Sequence, residues 1–343
     1  MSYERGWQAL HLDMPDTIPH TEYCSHPRLV KAVTGLDPRD DPDAWLRFYE
    51  MTDYDLLWRT NDGPDWPGRT TSMGHAEFQE GGTDFDDNVH CPFATPEDVL
   101  SFDPVAEYGL PDADERAAYF EHAWHDGQQR HPMLVFTGGY YKTLFSACIQ
   151  AFGWEMFLSA APLDYDRFDR VLEGFFQISL ANYRAWARTS APVFIAHDDI
   201  VWSQGPVFHP EWYRCHVFPR YKVLWRLLKD AGKIVLFCSD GNFDVFVDDI
   251  ADAGADGFFI EPLTDLERIV EAYGRTKVII GNVDTRALTF GTKDDVRREV
   301  ERCIALGRDC PGYFIAVGNH IPPNVPVDNA LYYLELIQKL GRR

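Results

Sequence analysis

Basic clusters are missing from this 343-residue chain: 32 Lys and Arg face 54 Asp and Glu, giving a net charge of −22, and no stretch gathers the cations on one face. A protein that neutralises phosphates needs such a face, so nucleic acid is not an expected partner. The charge predicts good solubility, with a cationic or neutral ligand. Long apolar runs are missing too; none approaches the ~20 residues of a membrane span. Residues 1–13 carry neither a basic lead nor an apolar run, so no secretory signal is expected there. Cysteine pairing is absent: the seven cysteines (24, 91, 148, 215, 238, 303 and 310) are odd in number, scattered and without CxxC spacing. That fits a reducing cytoplasm better than a disulfide framework and leaves most of them as small buried hydrophobes. No low-complexity tract and no GxGxxG or Walker motif occurs, which counts against a doubly wound nucleotide-binding sheet.

What is present is a 45% hydrophobic, 25% charged composition able to fill one large core, read as a single domain over 1–343. From about residue 190 a short β-branched or aromatic run, a polar loop and an amphipathic stretch follow one another repeatedly, as in βα units. The runs are 192–196 (PVFIA), 233–237 (KIVLF), 257–260 (GFFI), 277–280 (KVII) and 312–317 (GYFIAV). Being continuous rather than alternating, they predict strands buried on both faces. Looser strands at 17–23, 54–59 and 132–137 bring the number to eight, with long helices over 114–130 and 165–189. The expected fold is α/β, a (β/α)8 TIM barrel with an N-terminal extension. Helix starts are marked by Pro210, by Thr264 with Glu267 as a capping box, and by Thr292 ahead of Asp294 and Asp295. The Gly-, Asp- and Pro-rich stretch 61–102 is too long for an ordinary connection and reads as a loop or lid insertion near the barrel mouth.

Each late strand hands over to polar residues at its C-terminal end: His197, Asp198 and Asp199, then Gln204; Cys238, Ser239, Asp240, Gly241 and Asn242; Glu261; Asn282 and Asp284; Asn319 and His320. One Asp after a strand is as often a helix cap as a functional group. Five consecutive strands ending this way ring the mouth where barrel enzymes work. A thiol, several carboxylates and imidazoles together suit a divalent transition metal, zinc above all. Cys238 and Asp240, two apart at a strand end, can face the same side. His197, beside Asp198 and Asp199, reads as an acid/base or substrate-orienting group. His75, His90 and His216 have no comparable company.

The segments HDDIVWSQGPVFHPEWYRCHVFPRYK, KDAGKIVLFCSDGN, DIADAGADGFFIEP, VIIGNVDTRALTFGT and GNHIPPNVPVDNALYY resemble the uroporphyrinogen decarboxylase superfamily. Within it they resemble the branch of methylcobamide:coenzyme M and O-demethylase methyltransferases. The resemblance runs from about residue 18 to 340. It implies a zinc held by a His-x-Cys pair, here falling on Cys238 and Asp240, with Glu261 as the acidic ligand and a late ligand at His320 or Asn319. Three of these ligands differ in type from the family pattern. The implied activity is methyl transfer to or from a small molecule, with a corrinoid carried by a partner protein. His197, Asp199 and Asp240 are expected to be the catalytic groups. Tyr140, Trp202, Gln204, Asn242 and Asn282 are the expected substrate contacts, with Tyr141 and Phe243 as further aromatic walls. The arginine-bearing motif of the true decarboxylases is missing: the first 30 residues hold only Arg5 and Arg28, and an acidic mouth would repel a polycarboxylate. The alternatives are metal-free decarboxylation by carboxylates such as Asp199 and Asp240, and a non-catalytic small-molecule-binding barrel. No heptad or apolar stripe predicts an oligomer.

Overall fold

Eight parallel staves close on themselves in chain order. The computed structural model describes residues 2–72 and 90–343. The first stave is the extended segment around His20 and Cys24, bridged in parallel to Ile315 and Ile321. The others are Leu56–Leu57; Val135–Phe136 running on into Gly138–Tyr140; Val193–His197; Ile234–Cys238; Gly257–Phe259; Val278–Ile280; and Tyr313–Phe314. Staves three to eight form one continuous parallel sheet, and the second pairs with the third. Closure comes from the first stave, where Ile315 N–H donates to Pro19 O (2.9 Å) on one side and Asp55 N–H to His20 O (2.9 Å) on the other. The fold is the expected TIM barrel.

The unbroken apolar runs fold this way because both faces of each strand are covered. Val193, Ile195, Leu236, Val278, Ile280 and Phe314 fill the barrel interior. Their neighbours Phe194, Val235, Phe237, Phe258, Ile279 and Tyr313 face the helices. The N-terminal extension is a helix, Ser2–Leu10, whose Tyr3, Trp7, Ala9 and Leu10 pack against the interior cluster. It approaches the second stave so closely that a Cβ on Gly6 would lie 2.3 Å from Asp55 O. Arg5 binds Asp55 there at 2.9 Å.

The long helices are Ala113–Arg130 and Tyr165–Ala187, and Thr292 forms its capping box with Asp295. The expected box at Thr264 does not form. Asp265 caps that helix instead, because the Thr264 hydroxyl is spent on Gly241 O (3.1 Å) and on the Phe243 N–H (3.2 Å). Within 61–102, the part at 73–89 lies outside the described residues, as does His75. The described ends are packed down: Thr71 N–H donates to Gln150 O at 2.7 Å, Cys91 Sγ to Phe152 O at 3.0 Å, and Phe93 joins the core. Among the described residues no helix is long and apolar enough to cross a membrane.

Candidate active site

The fourth and fifth staves end side by side, His197 directly paired with Cys238. Beyond His197 the chain is pinned by Asp198, whose buried carboxylate accepts the N–H groups of Leu144 (2.9 Å), Phe145 (3.2 Å) and Ser146 (2.7 Å) and the Tyr221 hydroxyl (2.6 Å). An anion at the start of the helix Phe145–Ala160 satisfies donors that the helix cannot satisfy itself. Asp198 is therefore a structural cap, and it holds Asp199 at the mouth.

Asp199 is the hub. Its Oδ1 lies 3.2 Å from His197 Nε2 and accepts the Asp240 N–H at 3.0 Å; its Oδ2 accepts the Tyr141 hydroxyl at 2.5 Å. Burial alone would raise the Asp199 carboxyl, but the His197 ring, the Asp240 amide and the Tyr141 hydroxyl bring it below the usual range. Among the described residues, His197, Asp199 and Asp240 present donor atoms that all lie within 4.8 Å of one another.

The neighbours are close but turned elsewhere. Burial, then the charges of Asp240, Asp199 and Glu261, push the Cys238 thiol far up, so it stays protonated. Glu261 accepts the Gly241 N–H at Oε2 (2.5 Å) and Asn319 Nδ2–H at Oε1 (2.7 Å), and burial raises it. His320 sits 3.0 Å from Asn319 Oδ1 and against the Tyr23 ring; burial lowers it to about 4, a neutral imidazole. Among the described residues, the cluster of three thus includes none of Cys238, Glu261 and His320.

A cavity of about 610 Å³ opens at this end of the barrel. Counting by twos from the inward Leu56 and Val135 places Trp58 and Tyr141 inside the mouth, where they line the cavity with Tyr23, His197, Cys238 and Asp240. The same count from the outward Leu57 and Phe136 places Arg59 and Lys142 in an outer lobe, with Asp62, Asp65 and Trp124. The mouth expected to be strongly acidic therefore carries cations as well as acids.

None of Tyr140, Trp202, Gln204, Asn242 and Asn282 lines this cavity. Tyr140 points outward into the helix layer, its hydroxyl accepting from Asn182 at 3.2 Å. Trp202 is 50% exposed on a hairpin and packs edge-on to Trp154; Gln204 is exposed in the same hairpin's turn. Asn242 takes the Asp244 N–H (3.0 Å), and buried Asn282 donates to Glu261 O and Thr264 O. Phe243 is core. His216 binds Asp169 at 2.7 Å, away from the mouth. Trp58, Arg59, Asp62 and Lys142 were not picked out from the sequence, although the inward and outward parity of the second and third strands was the available signal.

The family model for uroporphyrinogen decarboxylase (URO-D) matches residues 84–340. The chain belongs to that family. It is similar to the uroporphyrinogen decarboxylase of Syntrophotalea carbinolica, 27% identical over 214 residues, and to one from Thermus thermophilus, 28% identical over 213. These alignments cover 62% and 61% of the chain, and the chain spans about 60% of the length of each relative. In fold it is similar to a solved methyltransferase from Methanosarcina mazei, with a TM-score of 0.66 and 16% identity over 98% of both chains.

Proposed function

We propose that this member of the family transfers a methyl group to or from a small molecule with the help of a divalent cation, zinc by preference, and that a corrinoid on a separate protein is the other methyl carrier. The observation that carries the reading is the convergence of His197, Asp199 and Asp240 at the mouth. A cation fits the chemistry of this site: burial raises Glu261 and Cys238, and the charge of Asp199 on the first and of Asp240, Asp199 and Glu261 on the second adds to that, so a positive charge there relieves mutual repulsion. Mixed imidazole and carboxylate donors with a thiol alongside suit zinc.

A bound cation supplies Lewis acidity to the oxygen or sulfur from which the methyl group departs. The chain's own residues do the rest. His197 Nε2 and the Asp199 and Asp240 carboxylates would hold the ion, while Tyr141 and the Asp240 N–H fix the Asp199 rotamer. Burial raises the Tyr141 hydroxyl, so it keeps its proton and remains a donor to Asp199 Oδ2. Trp58 and Phe259, 4.9 Å apart, wall the cavity against water. The methyl moves without electrons: the broken bond's pair stays on the leaving atom, and the acceptor supplies the pair for the new bond.

The test is metal content by plasma mass spectrometry on chelator-free protein, followed by methyl transfer from methyl ethers and thioethers to added corrinoid. The reading expects close to one zinc per chain in wild type and little in H197A or D240A. A folded wild type that takes up no cation when zinc is supplied would sink it.

A second reading, decarboxylation, is favoured by Arg59 in the same cavity, whose guanidinium can hold a carboxylated substrate. It expects release of carbon dioxide that chelators do not slow.

A further inference from the structure

We infer that the outer lobe of the cavity, built around Arg59, is a binding site for the carboxylate of a small monoanionic substrate with a planar apolar body. The inference deepens the function proposed above by naming the substrate class of the same cavity. Arg59 leaves the second stave on its outer face, is exposed and lines the cavity. Its side-chain contacts among the described residues are a 3.5 Å bond to the Tyr49 hydroxyl and the Tyr23 ring, whose centroid lies 6.0 Å away. No described carboxylate pairs with it, in a chain with 54 acidic and 32 basic residues. Several other arginines do pair with acids: Arg69 with Glu107, Arg167 with Glu97, Arg214 with Asp249, Arg220 with Asp169. An exposed guanidinium with no described carboxylate, opening into a cavity, is placed to bind an anion.

Lys142 does not compete for that role. It is buried, its Nζ stands over the Trp66 ring at 5.1 Å, and Asp62 and Asp65 support its charge. Those two acids also select among anions. They oppose a phosphate dianion, whereas a single carboxylate matches the planar fork of one guanidinium with two parallel hydrogen bonds. Trp124 and Phe136 in the outer lobe and Trp58 at the mouth offer flat apolar walls for the rest of the ligand. With its carboxylate on Arg59, such a molecule lies in the cavity whose inner end holds His197 and Asp240.

The test titrates benzoate, benzamide and inorganic phosphate into the full chain in the presence of a chelator, reading the fluorescence of the cavity tryptophans. Benzoate is expected to quench saturably, with benzamide binding roughly tenfold or more weaker and phosphate failing to displace benzoate. R59Q should lose the preference for benzoate over benzamide; R59K, which keeps the charge without the fork, should retain part of it. Equal binding of benzoate and benzamide, unaltered benzoate binding in R59Q, no saturable benzoate quenching, or displacement by phosphate as effective as by benzoate would each overturn the inference. Because neither metal nor methyl transfer enters this measurement, its failure is distinct from failure of the proposed reaction, which metal content and turnover decide.

Discussion

Tyr141 donates its hydroxyl hydrogen to Asp199 Oδ2 across 2.5 Å while its ring stands edge-on to His197 at 4.3 Å. One phenol from the third strand thus steadies both the carboxylate and the imidazole offered by the fourth. Y141F keeps the ring and removes the bond. With Asp199 only 13% exposed, the expected loss is about 2 kcal/mol of stability and a roughly 10–100-fold fall in zinc affinity. Urea unfolding and metal titration read the two effects; unaltered zinc affinity would remove Tyr141 from the site's support.

The cluster of three and the ligand set implied by family resemblance make different demands. If His197, Asp199 and Asp240 hold the cation, C238A and E261A keep most of their zinc while H197A and D240A lose it. Stoichiometric zinc in H197A, together with its loss in C238A and E261A, would return the site to Cys238, Glu261 and the late His320 or Asn319.

Two buried carboxyls set a pH dependence. Burial raises Asp55, beside Arg5 and under the His20 N–H, and Asp198, the helix cap, each from 3.8 to about 6. The folded chain then binds more protons than the unfolded chain between about pH 4 and 6. Stability contributed by these groups therefore declines as pH rises through that window and levels off above it, by on the order of 2 kcal/mol per group. Urea midpoints from pH 4 to 7 test the sign, and D55N should flatten part of the slope. A contribution from Asp55 that rises with pH would show that Arg5 outweighs burial.

Gly241 has φ of +89°, and a Cβ there would meet Trp202 O at 2.7 Å. Its N–H also holds Glu261. G241A should cost about 2 kcal/mol and displace Asp240 along with Glu261, so zinc content falls with stability. Wild-type zinc content and melting temperature in G241A would show that the loop absorbs the change.

Much of the barrel could be read from the chain because its strands are continuous apolar runs such as 277–280 and 312–317, a pattern that only two covered faces explain. The first strand is weaker: around His20 and Cys24 it is held by single bridges, so it is visible chiefly through the need to close the ring. For the late loops, the order of residues put His197, Asp199, Cys238, Asp240 and Glu261 at one mouth. It did not show that Glu261 would turn to Gly241 and Asn319, or that the Asn282 amide would be spent on backbone carbonyls.

By itself, then, the sequence determined the fold class and the end of the barrel that carries the polar groups, because burial of apolar runs and their spacing are local properties. Which of two adjacent residues faces the cavity, Tyr140 or Tyr141, and which acids converge on His197, were decided only in three dimensions. A pleated strand sends neighbours to opposite faces, and one residue of register exchanges them. Arg59 and Lys142 belong to the same lesson: far apart in sequence from His197 and Asp240, they reach the same cavity only because the second and third staves close beside the fourth.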